Sequence, residues 1–455
     1  MTVAGKPSYI LPETKIYDCI GIGFGPSNMA LAISLQEQGM LERCLFLEAR
    51  PDFEWHPGML IEGTDIQHNP LRDLVTPRNP SSPYGFLSYL SAQGRLFDFL
   101  NLAAPYPPRT EYASYIKWAG AQFLAWVRLG CRVSELRHAT CPDGNPAIEV
   151  LAADGARYLG RTLAFGPGRS LNIPLLFQPL MGENVVHLND YLMAKGRWLD
   201  RLARPRIAVV GGSQSAVEIV LDLAPHAQVA SVSRGFGFKH KDLSPFTEAI
   251  YYPEFVDYFH NAGVAAQNRM TQELWRSNYS AADPDVVAQL NMLLYEQKVV
   301  GRETVRVLSN RDMLSVEDRG GTYLLETRER HSGQIDRLEV DGIVLATGFL
   351  NFGDRDGQEP YHPLLAGIAH AAEFRGDGGI AIDRTYKLVN HPEAGADLPV
   401  FINGLCESSH GFGDAGSFSL LSVRSETIAK AIKSYLSHDI RSQIETPAVG
   451  AFAHV

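Results

Sequence analysis

The chain has 455 residues, 45% of them hydrophobic and 20% charged, and a formal net charge of −10. That length outgrows one simple core and predicts two or three domains. The acidic balance argues against a general nucleic-acid partner, and no apolar run is long enough to span a bilayer.

Residues 1–16 are polar, carry two prolines and lack the apolar core of a signal peptide. The five cysteines (Cys19, Cys44, Cys131, Cys141, Cys406) show neither paired nor metal-ligand spacing, and the histidines show no metal spacing either. Buried reduced thiols, no metal and a cytoplasmic protein are the expectation.

The first ordered stretch is Tyr17–Leu47, YDCIGIGFGPSNMALAISLQEQGMLERCLFL, followed by Glu48. A short apolar run leads into a turn at Gly21, Gly23 and Pro26. Helical apolar spacing covers Asn28 to Gln38, and Cys44 to Leu47 is a second apolar strand ending at an acid. This is the pattern of a βαβ dinucleotide-binding unit. The glycines let backbone N–H groups and a helix N-terminus approach a pyrophosphate, and Glu48 is placed for ribose hydroxyls. Ser27-Asn28 replaces the third glycine.

Then comes FEWHPGMLIEGTDIQHNPLRDLVTPRNPSSPYGFLSYL, rich in Pro, Asn, Asp and aromatics. A long irregular segment in a compact domain carries function more often than not. Helices are predicted over Tyr84–Gln93 and Ala113–Leu129, strands over Arg132–Leu151 and Arg157–Phe165, and a linker at Gly166-Pro167-Gly168.

A second nucleotide unit starts at the strand Arg206–Val210. Gly211-Gly212-Ser213-Gln214-Ser215-Ala216 has the shape of a phosphate turn, and Gln228–Ser233 is the following strand. Arg234 stands where a carboxylate would favour a free ribose. A guanidinium there suits a 2′-phosphate, so NADPH is favoured over NADH. Residues 235–300 lack clean periodicity until the helix Asp283–Lys298, and read as an insertion covering a site. Leu338–Ala346 reads as one strand leading into Thr347-Gly348-Phe349 and closing back onto the first domain. Val400–Asn403 is a last strand, followed by a glycine-rich loop and a terminal helix.

The segments GIGFGPSNMALA, FEWHPGMLIEGTDIQ, RDLVTPRNPSSPYGFLSYLSAQGRL, VVGGSQSAVE, SPF, SNYS and LATGF together resemble the microbial N-hydroxylating flavin monooxygenases. The resemblance runs from about Tyr17 to Ile432. It implies an α/β fold with two Rossmann-like dinucleotide-binding domains, the NADPH domain inserted in the FAD domain, and a small mostly helical substrate region. The expected bounds are 1–200 and 335–455 for the FAD domain and 201–334 for the NADPH domain. It also implies hydroxylation of the side-chain amine of ornithine or lysine, often for siderophore synthesis, through oxygen activated on reduced flavin. The alternatives are an aliphatic diamine (putrescine or cadaverine) as substrate, or another flavin monooxygenase chemistry. Relatives are often tetramers.

By that resemblance Gly21, Gly23 and Pro26 line the FAD pyrophosphate and Glu48 the adenosine ribose. Trp55 and His56 pack on the flavin, with Gln67 beside its ring. Gly212, Ser213, Gln214, Ser215 and Arg234 hold NADPH. Asn278 contacts the substrate and the nicotinamide ribose region, and the loop His410–Ser419 closes over flavin and amine.

Three departures bear on the substrate. Arg72 stands where ornithine-type members carry a lysine that pairs with the substrate α-carboxylate; it keeps the charge and offers a fork. Glu248 stands where SPFxNE members carry an asparagine, and can bind a second ammonium or pair with Arg72. GDAGSFSLLS inserts glycine and serine where the family has a more apolar DTLLS or DPNLS segment.

Overall fold

The computed structural model describes residues 15–102, 104–242, 244–395, 397–414 and 416–444; most of the polar stretch 1–16 lies outside them. The first sheet holds β1 (Ile16–Ile22), β2 (Cys44–Leu47), β3 (Val127–Arg128), β4 (Val133–Thr140), β5 (Pro146–Ala152) and β6 (Arg157–Phe165), in the order β3-β2-β1-β6-β5-β4. β1, β2, β3 and β6 run parallel, while β4 and β5 form an antiparallel flap on β6. The last strand, Val400–Ile402, pairs in parallel with the C-terminal half of β6.

The helix Pro26–Glu37 has no polar face. Every residue from Asn28 to Leu35 is buried, because the sheet lies on one side and the helix Leu421–Ile444 packs on the other. Helices apolar all round are interior helices. The helix expected over Ala113–Leu129 instead runs Arg109–Ala121; a 3₁₀ turn at Leu124–Trp126 then delivers β3 to the edge of β2. Val127 is β-branched and gains a ladder partner there.

The second sheet is fully parallel. It contains β7 (Val185–His187), β8 (Arg206–Val210), β9 (Gln228–Val232), β10 (Val305–Leu308) and a strand Gly342–Leu345, in the order β10-β9-β8-(Gly342–Leu345)-β7. This corrects two expectations. The apolar run Leu338–Ala346 is two strands, because Asp341 interrupts it to accept from the backbone N–H and guanidinium of Arg206 (2.7 and 2.8 Å). Ile335–Val340 joins a three-stranded antiparallel sheet with Arg311–Asp318 and Tyr323–Glu329. Gly342–Leu345 closes onto β8 and β7, not onto the first sheet. The helix Tyr191–Arg201 also packs in the second core, through Tyr191, Ala194 and Trp198. The second unit therefore begins before residue 201 and ends after 334.

Helix Pro284–Val300 packs on helix Gln214–Leu223 as the crossover from β9 to β10, so the true insertion is about 235–282. It docks on the first unit. Asp257 pairs with Arg384 (2.5 Å), the His260 ring meets the Ser409 carbonyl (3.2 Å), and Gln267 accepts from Arg375 (2.6 Å).

Two features fix the units relative to each other. The connections between them run antiparallel, with Asn172 N–H donating to Gly348 O (3.0 Å) and Leu350 N–H to Ser170 O (2.9 Å). Arg109, at the start of its helix, grips Glu218 of helix Gln214–Leu223 with both Nη atoms (2.9 and 2.8 Å). That pair is 11% and 5% exposed. Removing one partner of so buried a pair costs about 3–5 kcal/mol.

Candidate functional site

The first turn is built for a phosphate. Gly23 has φ +76°, and a Cβ there would meet Gly166 O at 2.5 Å; a Cβ on Gly25 would meet nothing within 4 Å. No side chain caps the helix that Pro26 begins, so its first N–H groups face the open space above Gly25. Gly21 is small for a different reason: a Cβ would sit 2.1 Å from the Phe46 ring. Glu48 accepts from the N–H groups of Phe24 (2.7 Å) and Arg50 (2.8 Å). Its carboxylate is thereby aimed, with lone pairs left for ribose hydroxyls.

One buried acid braces the irregular segment after Glu48. Asp73, fully buried, accepts from the N–H groups of Val75, Thr76 and Phe86 and from the Thr76 hydroxyl, at 2.6–2.9 Å. Burial raises its pKa and these donors pull it back. His56 and Gln67 both sit in the left-handed region, with φ +48° and +57°. Such backbone in bulky residues is sparsely populated and clusters at functional sites. The Gln67 N–H is held by Asp65 (3.2 Å), while its Nε2 is buried without a partner. An orphaned amide donor beside the glycine-turn domain fits a flavin ring acceptor. Trp55 packs edge-on to His56, Tyr112 and Phe418. Desolvation, with Arg109, Arg169 and Arg50 near, lowers the His56 pKa to about 4. His56 is an exposed residue overall, and its imidazole is neutral at pH 7.

Beside this segment stand two opposite charges. Arg72 donates to the Ser419 hydroxyl (3.3 Å), and its guanidinium lies 5.9 Å from the centre of the Tyr251 ring. Glu248, in the 3₁₀ turn Thr247–Tyr251, acts on the same Tyr251 hydroxyl and on that of Tyr106; so does Arg72, in the opposite sense. Among the described residues no carboxylate lies within ion-pair distance of Arg72 and no cation within that distance of Glu248. The two charges face the same tyrosines without cancelling.

A cleft of about 1350 Å³ runs along the second unit. Its walls include Gly211, Gly212, Ser213, Arg234, Lys239 and Arg311. A Cβ on Gly211 would lie 2.3 Å from Ala346 O, so the turn abuts the strand end closely. Arg311 holds Asp336 with one nitrogen (2.8 Å) while its Nε and Nη1 are buried without partners. Three cations along one wall suit a phosphate. Gln214 and Ser215 do not line the cleft. Gln214 is committed elsewhere: Oε1 accepts from Asp283 N–H (2.7 Å), Nε2 donates to Glu218 (3.0 Å), and its own N–H donates to Ala281 O (3.1 Å).

Asn278 stands between the two regions. Ser277 before it accepts from the Tyr251 hydroxyl (3.4 Å), and Tyr279 after it lines the cleft. The far end of the cleft is a buried polar group. Glu407 accepts from Tyr279 Oη (2.6 Å) and Asn351 Nδ2 (2.9 Å), and Arg169 donates to Tyr279 Oη (3.0 Å).

The chain matches the family model for L-lysine 6-monooxygenase/L-ornithine 5-monooxygenase over residues 15–351. It belongs to that family. An L-ornithine N(5)-monooxygenase from Pseudomonas aeruginosa is 33% identical over 436 residues, 92% of this chain and 94% of the relative. The structure of ornithine hydroxylase from Pseudomonas aeruginosa superposes with TM-score 0.83 at 32% identity, covering 92% of this chain and 100% of that one. That of L-lysine 6-monooxygenase from Pseudomonas syringae gives 0.80 at 34% identity, with 92% and 100% covered.

Within this family member, the sequence alone gives no role to Tyr251, Asp65, Asp73, Arg169, Tyr279, Arg311, Asn351 or Glu407. No motif flags them. Asp65, Asp73 and Tyr279 lie inside FEWHPGMLIEGTDIQ, RDLVTPRNPSSPYGFLSYLSAQGRL and SNYS, and Glu407 inside the glycine-rich loop, so proximity to these segments is the only signal. No group of three or more His, Cys, Asp or Glu among the described residues could hold a metal ion, no described helix is long and apolar enough to cross a membrane, and all five cysteines are buried and outside any disulfide.

Proposed function

We propose that the protein is an FAD- and NADPH-dependent N-monooxygenase acting on the side-chain primary amine of a basic amino acid, ornithine or lysine. The observation that carries the substrate class is the uncancelled pair Arg72 and Glu248 around Tyr106 and Tyr251. Arg72 matches an α-carboxylate and Glu248 an α-ammonium, so a zwitterionic head is held at both charges. The family relatives named for ornithine and lysine agree with this reading.

FAD would lie with its pyrophosphate over Gly23–Pro26, its ribose at Glu48 and its ring by Trp55, His56 and Gln67. NADPH would lie on Gly212 and Ser213, with its 2′-phosphate at Arg234, Lys239 and Arg311. Together they supply an electron pair and an activated oxygen atom. The chain's own residues do the rest. Arg72 and Glu248 fix the head, so the side-chain amine is carried to a set place. Asn278, between Ser277 and the cleft-lining Tyr279, would contact the substrate. The neutral His56 adds no positive charge that would repel the substrate's ammonium group as it enters. Packing of Trp55, Phe418 and Tyr112 keeps water from the reaction.

A diamine is the second reading, favoured by Glu248 alone, which would then grip the far ammonium. Measuring hydroxylamine formed, rather than NADPH consumed, across ornithine, lysine, putrescine and cadaverine decides between them. Ornithine or lysine is expected to give product at the lowest concentration; a diamine preferred by tenfold would overturn the amino-acid reading.

The protein is proposed to work in the cytoplasm, in keeping with five buried thiols, and as a homotetramer. Met292, Tyr295, Val299 and Val300 are 56–72% exposed on helix Pro284–Val300, an apolar stripe suited to subunit contact. Light scattering in solution checks the assembly; a monomer at micromolar concentration would refute it.

A further inference from the structure

Glu407 opens the short helix Glu407–His410 and is 5% exposed, yet it lines the cleft beside Ser408 and Tyr279. A carboxylate has about four lone-pair sites. Two are taken here, by Asn351 Nδ2 and Tyr279 Oη, which leaves capacity toward the cleft. The cation nearest to it, Arg169, reaches it only through those partners, at 3.0 Å to Tyr279 Oη and 3.4 Å to Asn351 Oδ1. Asp414 faces it from the following turn and opposes its ionisation. On the other side Glu407 acts on the Tyr251 hydroxyl, the same hydroxyl that Arg72 and Glu248 face. Glu407 thus lines the cleft and is felt by the tyrosine that Arg72 and Glu248 also influence.

An alkyl amine with an ordinary pKa of about 10.4 is almost wholly ammonium at pH 7, and ammonium has no lone pair for oxygen. We propose that Glu407 takes the proton that turns the bound ammonium into a neutral amine, and returns it to the oxygen atom that leaves as water. This rests on the amine-hydroxylation reading above.

The balance requires such a return. R–NH₃⁺ + NADPH + O₂ gives R–NHOH + NADP⁺ + H₂O, in which hydrogen and charge balance with no proton drawn from solvent. NADPH is oxidised by two electrons and the nitrogen by two. O₂ takes all four as its O–O bond breaks, one oxygen forming the N–O bond and the other water. A proton removed from nitrogen and lost to bulk would have to be recovered from bulk; a buried carboxyl keeps it at the site. Burial also raises the Glu407 carboxyl to about 7, with Arg169, Tyr279 and Asn351 pulling the other way, so it can hold and release a proton near neutrality.

The test is the pH profile of hydroxylamine formed per NADPH consumed. In the wild type that yield is expected to fall on the acid side of pH 7. In Glu407→Gln it should drop at least tenfold at pH 7.5, with hydrogen peroxide in its place, and recover only toward the amine's own pKa. Tyr279→Phe removes a donor that favours the carboxylate, so its acid limb should move to higher pH. Independently of turnover, infrared difference spectra of the substrate-free protein should show a carboxylic C=O band that grows below pH 7 and is missing in Glu407→Gln. Wild-type yield and limb in Glu407→Gln would overturn the proposal. Should that variant lose its fold, judged by melting, an unmoved limb in Tyr279→Phe would overturn it instead. A wild type that makes no hydroxylamine at any pH would refute the function itself; an unchanged Glu407→Gln refutes only the proton role.

Discussion

Arg72 and lysine carry the same charge, but a guanidinium is a flat fork and an ammonium is a point. The fork here spends one arm on Ser419, leaving the rest for a carboxylate. Arg72→Ala is therefore expected to raise KM for an amino-acid substrate by roughly 10–100-fold, the worth of a charge-assisted contact. A diamine, with no carboxylate, should be little affected. Steady-state kinetics on both substrates checks this, and equal losses would show that Arg72 reads no carboxylate. Glu248→Asn should in turn weaken a second ammonium on the substrate and leave a monoamine unchanged. His410 gives a different kind of prediction. It is fully buried, stacked on Tyr386 at 4.1 Å, and burial lowers its pKa to about 3. The unfolded ring binds a proton near pH 6.5 and the folded one resists, so between those values the unfolded chain holds more protons. Stability falls as the pH falls through that window, by about 1.4 kcal/mol per unit for this one group. His410→Gln should flatten the slope of melting temperature against pH between 6.5 and 5.

At the scale of elements, the glycine turn is braced from the far end of the chain. Asn28 donates to Gly23 O (2.8 Å) and accepts from Asn403 (3.0 Å). Arg424, 1% exposed on the terminal helix, holds Asn403, Asp414 and the Ser27 hydroxyl. The cradle and the loop over the site thus share one buried cation. Arg424→Met leaves Asp414 buried with the Tyr386 hydroxyl (2.7 Å) but without its cation, which costs about 3–5 kcal/mol. A matching fall in melting temperature and loss of bound flavin on gel filtration are expected, partly restored by adding Asp414→Asn. Here the limits of the sequence are visible in particular residues. The turn, its helix and the strand before Glu48 could be read because their signals are local: glycine spacing, apolar runs, an acid at a strand end. Ser27 and Arg424 lie 397 residues apart, and no period connects them. Gln214 failed for the converse reason. Its place in a phosphate turn was clear, but its bonds to Asp283 and Glu218 depend on what folds against it. The split of Leu338–Ala346 was hidden because apolar runs carry no mark of which sheet they enter.

For the whole molecule, the bidentate Arg109–Glu218 pair joins the helix behind the irregular segment to the helix that follows the second phosphate turn. Its loss should act on the relation between units more than on either one. Arg109→Ala is expected to keep its flavin while NADPH-driven reduction slows by tenfold or more, as stopped-flow absorbance would record. Unchanged reduction would mean that the paired connections and the insertion's contacts through Asp257, His260 and Gln267 hold the units without this pair. The paired connections at 170–172 and 348–350 carry a further consequence. Because the chain departs and comes back through one doorway, the strands of the first sheet all lie outside residues 170–350. That central block is topologically a cassette: a short turn spliced between Ser170 and Leu350 would bridge a gap already closed by a 2.9 Å hydrogen bond. The remainder should still bind flavin while losing nicotinamide response, which makes the gene a candidate for grafting foreign reductase cassettes at that doorway.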